Sequence, residues 1–296
     1  MIELGRLRAL HALASYGTVT EAARVLCCTP SAVSQQLAKL ERETRSHLVE
    51  RDGRRLRLTD AGRVLADHAE RVLDAVERAE VALETAQGEV VGEITVASFA
   101  TACRALFPTV LPALARRHPG LRVRLLEVDP YPALEDLARG GVDLVVVHDW
   151  RGMRLRWPAG VAWRRLGEDV VDLVTPADHP LAQRTAVSTA ELSGLDWLAQ
   201  PPGTICHDLL FSLVDDPVVR CYGEYELQLA LVAAGVGVAM VPRLARPSLP
   251  AGVVAVPLEP APAREVAVAW RESSAGRPSV RAVADEVARA WSLLPA

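Results

Sequence analysis

Between Thr29 and Glu43 the chain reads TPSAVSQQLAKLERE, and its side chains divide by helical spacing. Val33, Leu37 and Leu40 stand at i, i+4 and i+7, the pattern of a face that packs inward. Ser31, Ser34, Gln35, Ala38 and Arg42 form the opposite stripe. What short hydroxyl and amide side chains beside a small alanine offer is donors and acceptors at close range, the chemistry that reads base edges in a major groove. Thr29 suits the cap of this helix, and Pro30 its first position, where a missing N–H costs nothing. The helix N-terminus with Ser31 suits a phosphate. A plain solvated helix face is the alternative that spacing leaves open.

The flanking segments decide whether such a stripe could be presented. Leu4, Leu7, Leu10 and Leu13 predict a first helix that ends at Gly17. TVTE at 18–21 matches a capping box opening a short helix to about Leu26, and CCT at 27–29 is the turn. Short helix, tight turn and second helix, running to about Arg45, predict a helix-turn-helix over about 18–42. LVERDGRRLRLT follows, with Asp52–Gly53 as a hairpin signal and Arg51, Arg54, Arg55 and Arg57 on its strands, as in a wing lying on flanking DNA backbone or a minor groove. Thr59 can cap a long helix to about Gln87. Its Leu65, Ala69, Val72, Val76, Ala79 and Leu83 alternate by four and three, a coiled-coil seam. Alone, that seam would be wet. An intrachain hairpin could cover it; a second copy of the chain is the reading preferred here.

From Gly88 the pattern changes to strands alternating with helices. Strands are predicted at GEITVAS, LRVRLLEV and VDLVVV and near 161–175, 196–199, 218–222, 236–241, 252–256 and 265–270. Helices are predicted at 104–117, 131–139, 204–214, 225–234 and 279–294. This alternation implies parallel sheets of the α/β type, and about 200 such residues usually divide into two lobes. The 296 residues are half hydrophobic and 24% charged, an ordinary globular balance. The net charge of −4 argues against a nucleic-acid partner, but residues 1–60 hold ten Lys/Arg against seven Asp/Glu, a basic module on an acidic body. No run of about 18 apolar residues predicts a membrane span, and no secretory leader is read at the N-terminus. A cytoplasmic protein with five mostly free cysteines is expected.

Other chemistries find little support in the sequence. Adjacent Cys27 and Cys28 are poor disulfide partners and are expected to be buried small hydrophobes. Cys103 lies at a helix start, which could depress its pKa. CHD at 206–208 has metal-ligand types without a second cluster. A nucleophile elbow, a phosphate-binding loop and a dinucleotide fingerprint are missing from the sequence. The chain therefore predicts a binding protein, not an enzyme, with no resident cofactor or metal.

LRALHALASYGTVTEAARVL, TPSAVSQQLAKLE and ERDGRRLRLTDAGRVL strongly resemble the N-terminal domain of LysR-type transcriptional regulators. FPTVLPALARRHPGLRVRL, DHPLA and ALVAAGVGVAMVP resemble segments of that family's effector domain, so the resemblance covers essentially the whole chain. It implies an α/β protein with an all-α-type winged helix-turn-helix head (1–60), a linker and dimerisation helix (59–88) and a periplasmic-binding-protein-like effector domain (89–296). Lobe 1 would be about 90–160 and 268–296, and lobe 2 about 161–267. It further implies double-stranded promoter DNA and a small-molecule effector as partners, with a homodimer through the linker helix and a homotetramer as the assembly. Carried over by position, Thr29, Pro30, Ser31, Ser34 and Gln35 meet DNA, with Arg51 and Arg55 from the wing. Two positions depart from the family pattern. Arg45 replaces a glycine that ends the helix, and Val49 replaces a phenylalanine, which allows the helix to run on a little and the wing to sit differently.

In such a fold the ligand lies between the lobes, at strand ends and helix N-termini. Ser98 and Thr101 stand where the family places ligand contacts. Gly203 and Thr204 in QPPGT offer N–H groups and a hydroxyl, His148 ends a strand, and Tyr225 or Glu226 could line the cleft. Glu226 and His207 leave room for a ligand with a positive group, such as an amino acid. Two rivals remain: a redox-responsive member using Cys206 and Cys221, or an α/β small-molecule binder that does not touch DNA.

Overall fold

Three helices open the chain, each started or stopped by an identifiable residue. α1 (Leu4–Tyr16) ends where Gly17 turns left-handed at φ 73°. α2 (Val19–Val25) begins on Thr18, whose side chain accepts from the Glu21 N–H at 3.2 Å. α3 (Pro30–Thr44) begins on Thr29, which accepts from the Ala32 N–H at 3.2 Å. Val33, Leu37 and Leu40 are buried with Leu10, Leu13, Ala22 and Ala23 in one apolar cluster. The structure, a computed structural model, describes residues 2–26, 28–52, 55–87, 89–151, 153 and 155–294, with the backbone alone at 52, 55 and 85–87.

The lack of glycine at 45 does not let α3 run on. Arg45 itself takes the left-handed conformation, φ 50° and ψ 37°, and its N–H reaches the Glu41 carbonyl. The Glu41 carboxylate then accepts from the N–H groups of Leu48 at 2.8 Å and Val49 at 3.3 Å, tying the helix end to the next strand. β1 (Val49–Asp52) and β2 (Arg55–Leu58) are antiparallel, with Asp52 opposite Arg55. That register places Asp52 at the end of β1; Gly53 of the Asp52–Gly53 signal lies outside the described residues. Thr59 donates to the His47 carbonyl at 2.7 Å and accepts from the Gly62 N–H at 3.0 Å, opening α4 (Asp60–Gln87). Along the seam, Ala69 is buried and Leu65 half-buried, whereas Val72 is 44% and Leu83 66% exposed.

The chain forms two compact units, one of residues 1–89 with 139–141 and 272–278, the other of the remaining residues. The second is built on β3 (Gly92–Ser98), α5 (Ala100–Arg117), β4 (Leu121–Glu127), α6 (Pro130–Ala138) and β5 (Leu144–Trp150), then the long β6 (Val161–Pro176). There follow β7 (Val187–Ser188), β8 (Asp196–Ala199), α7 (Ile205–Leu213), β9 (Val218–Tyr222), α8 (Tyr225–Ala233) and β10 (Val238–Pro242). β11 (Val253–Glu259), β12 (Ala263–Arg271) and α9 (Pro278–Ser292) complete it.

The strand order is β4-β3-β5-β12-β6-β10-β8-β9. β4, β3 and β5 are parallel, as are β10, β8 and β9. The expectation of parallel sheets holds within each half only, because β12 runs antiparallel to β5 and β6, and β6 antiparallel to β10 and β11. Val161 to Val170 of β6 pair with β12, and Val171 to Pro176 pair with β10 and β11, so one strand serves both halves. Leu144 to Val147 are each 0% exposed, the continuous apolar run of a strand covered on both faces. In each half strands lead directly into helix N-termini: β3 into α5, β8 towards α7 and β9 into α8.

Candidate functional site

Two groups of polar residues stand out, one in each unit. On α3, Ser31, Ser34, Gln35 and Ala38 are exposed while the opposite face is buried. The hydroxyls are held locally: Thr29 and Ser31 share a hydrogen bond of 2.9 Å, and Ser34 donates to the Pro30 carbonyl at 3.0 Å. Arg42 folds back on the Ala38 carbonyl at 3.3 Å. Pro30 is exposed at the helix start, and Arg51 is exposed on β1. The side chain of Arg55 lies outside the described residues. Cys28, expected inside, is exposed in the turn, outside the apolar cluster that the described residues of the head form; Cys27 lies outside the described residues.

In the second unit, a cavity of about 130 Å³ opens between the ends of β3, β5 and β8 and the starts of α5, α7 and α8. Thr101, His148, Thr204 and Tyr225 line it together. Ser98, Gly203 and Glu226 stand outside that lining. Ser98 is buried with its Oγ 3.5 Å from the Phe99 carbonyl, and Glu226 pairs with Arg104 of α5 at 2.9 Å. His207 faces elsewhere, stacked on Phe211 with ring centroids 4.3 Å apart.

At the floor of the cavity lies Arg264, only 1% exposed. Its Nε and Nη2 donate to Asp169 Oδ2 at 2.9 and 2.7 Å, and Nη2 also donates to Thr101 Oγ1 at 2.7 Å. The guanidinium lies 4.8 Å from the Phe99 ring centre and 5.9 Å from that of Trp150. A buried guanidinium needs such a paired and stacked setting. His148 packs edge-on against the same two rings. Burial, then the positive Arg264, holds its pKa well below the usual value, so it is a neutral imidazole. Its Nε2 is 3.9 Å from Cys206 Sγ, and its Nδ1 has no hydrogen-bond partner among the described residues.

Neither Cys103 nor Cys206 is activated as a thiol. Burial pushes Cys206 up to about 11, and does the same to Cys103, overriding its position at a helix start. Asp129 is raised to about 6 by burial, with Asp208 and Glu224 adding to the shift while N–H groups of Tyr131 and Ile205 oppose it. Glu224 is raised by burial and then by Glu127.

Two family models match this chain. One, described as a bacterial regulatory helix-turn-helix protein of the lysR family, matches residues 4–63, and the other, a LysR substrate binding domain, matches residues 87–292. The chain belongs to the LysR family of transcriptional regulators. This regulator is 28% identical over 287 residues to a probable hydrogen peroxide-inducible genes activator of Mycobacterium avium, covering 94% of this chain and 91% of that protein. It is 27% identical over 196 residues to a probable RuBisCO transcriptional regulator of Chlorokybus atmophyticus, covering 66% of this chain and 62% of that protein. A full-length OxyR variant from Pseudomonas aeruginosa matches with a TM-score of 0.73 over 97% of this chain and 95% of that one, at 24% identity, a likeness of fold. Thus the regulator combines a helix-turn-helix head with a two-lobed α/β effector domain. Sequence reasoning overlooked Arg264, Asp169 and Asp129. For Arg264 and Asp169 the available signal was a charge set beside an apolar run, as in AREVAVAW and EDVVDLV, because a charge carried into a sheet is seldom buried unless paired.

Proposed function

We propose that this LysR-family regulator reads promoter DNA with Ser31, Ser34 and Gln35 in the major groove. Thr29 and Pro30 at the helix start and Arg51 and Arg55 of the wing would hold the backbone. The observation that carries this is the division of α3, whose apolar face is spent on the head's core while its polar edge faces solvent. Residues 1–60 act as the head, 59–88 as linker, and the rest as effector domain in a cytoplasmic protein that works by binding rather than catalysis. Among the described residues no helix is long and apolar enough to cross a membrane. Exposure of Val72 and Leu83 on α4 supports a homodimer through that helix, with a dimer of dimers on a two-part operator.

A small molecule in the cavity between the lobes, reached by Thr101, His148, Thr204 and Tyr225, is the effector in this reading. It can change promoter occupancy only if it binds two arrangements of the protein unequally. The redox reading is not favoured, since burial keeps the Cys206 thiol protonated. The test is fluorescence anisotropy with the DNA upstream of its own gene and with unrelated DNA, across salt. Selective binding with a steep salt slope is expected, and Gln35→Ala should lose about 1–3 kcal/mol on the selected site alone. Equal binding of parent and Gln35→Ala to both DNAs would remove Gln35 as a base reader.

A further inference from the structure

We propose that the cleft ligand is a small organic cation, a molecule carrying one or more ammonium or amidinium groups. This rests on the cleft being the effector site and deepens that reading. The charged groups on the cavity lining are Glu127, Asp129, Glu224 and Arg264. Arg264 is already spent: its guanidinium is locked on Asp169 and buried beneath two aromatic rings. Around this lining stand Asp208, against Tyr131 at 3.0 Å, and Glu226 with Arg104. The neighbourhood therefore sets six carboxylates, counting Asp169, against two guanidinium groups, and both guanidiniums are paired. Asp129 meets N–H groups at the starts of α6 and α7, so the anion-seeking ends of those helices are already occupied.

The second observation is His148. It is 2% exposed, lines the cavity, and leaves Nδ1 unpaired among the described residues. A buried polar atom without a partner is costly, and a neutral imidazole nitrogen can accept a hydrogen bond from an ammonium N–H. With Nδ1 as the acceptor, Nε2 carries the proton and points it at Cys206 Sγ, 3.9 Å away. Like charges crowding one site support the same direction: Glu127 raises the proton affinity of Glu224, and Glu224 that of Asp129. A bound cation relieves that repulsion. A metal ion does not fit, because no three acidic, imidazole or thiol groups among the described residues stand close enough to hold one.

Three probes with the same four-carbon chain separate the charge classes: putrescine, 1,4-butanediol and succinate. Each is titrated into the full-length protein at pH 8 by calorimetry, with thermal unfolding in parallel. Putrescine is expected to bind and raise the unfolding temperature while the diol and the diacid do neither. Glu127→Gln with Glu224→Gln, both on the cavity lining, should weaken putrescine at least tenfold. Ala100→Leu, which narrows the cavity, should weaken it as well. If succinate binds better than putrescine and Ala100→Leu abolishes that binding, the cation is wrong and the cleft reading stands. Should no probe bind, or should Ala100→Leu leave binding untouched, the cation proposal falls, and the latter result also removes the cleft as the site.

Discussion

The exposed edge of α3 and the floor of the cleft are both polar, and they satisfy their polar groups in opposite ways. On α3 every partner is local: Thr29 serves Ser31, and Ser34 serves Pro30, within a few residues and in contact with water. In the cleft the partners are Thr101, Asp169 and Arg264, separated by up to 163 residues in the chain and almost wholly removed from solvent. Water can replace any lost bond on the helix edge, so its composition is not constrained by folding. The groups at the cleft floor are almost wholly buried, so their charges are balanced chiefly by one another, and the arrangement is fixed by folding.

The sharpest way to break this comparison is to remove one polar partner from each region. Asp169→Ala leaves the Arg264 guanidinium buried and uncompensated, and should cost about 3–5 kcal/mol. Ser34→Ala should change stability by no more than about 0.5 kcal/mol, the usual range for an exposed side chain. Urea unfolding of both variants, followed by tryptophan fluorescence with Trp150 close to the lost pair, measures the contrast. Equal losses would mean that the cleft pair is as replaceable by water as the helix edge.

Arg45 tests the head on a smaller scale. A left-handed residue with a Cβ costs about 1–2 kcal/mol, and glycine removes most of that. Arg45→Gly should therefore stabilise the head by about 1 kcal/mol, seen as a rise in its thermal midpoint. No rise would mean that the Glu41 clamp on Leu48 and Val49 already sets this turn regardless of residue type.

These contrasts also explain what could be read in advance. The head was legible because its information is contiguous. A cap, an N1 proline, an apolar face and a polar edge all fall within Thr29 to Arg42. The alternation of strands and helices was legible for the same reason, down to boundaries within a few residues. The antiparallel β12 was not, because strand direction depends on where a distant segment returns, not on its own composition. Of the residues expected at the cleft, His148, Thr204 and Tyr225, read from strand ends and helix starts, and Thr101, carried over from the family resemblance, line one cavity. Arg264 and Asp169 escaped because each strand carries several charges, and none bears a local sign of which is buried or what pairs with it. Arg45 was misjudged for a different reason: residue preference favours glycine there, while tertiary ties held the turn in place.

Asp129 sharpens the comparison through pH. An aspartate in an unfolded chain titrates near 3.8, and burial raises this one to about 6. Between those values the folded protein holds a proton that the unfolded chain has released, so stability falls as pH rises through the window. Asp129→Asn abolishes the effect. It should be more stable than the parent at pH 7.5 by on the order of 1 kcal/mol, since partial exposure screens part of the charge cost, and the two should converge near pH 4. A gain that persists unchanged at pH 4 would show that the asparagine acts through packing or hydrogen bonding and not through the removed charge.

The smallest effect is expected at the mouth of the cleft. Arg104 and Glu226 join α5 to α8 at 2.9 Å, but both side chains are exposed. Exposed pairs are typically worth about 0.2–1 kcal/mol and weaken with salt. Arg104→Ala should therefore lose no more than that in 50 mM salt and almost nothing in 1 M. The buried Arg264–Asp169 pair should keep most of its effect in 1 M salt, because a pair removed from solvent is screened much less. A salt-insensitive loss at Arg104 would place this pair with the floor of the cleft instead, as part of what holds the two halves of the sheet together.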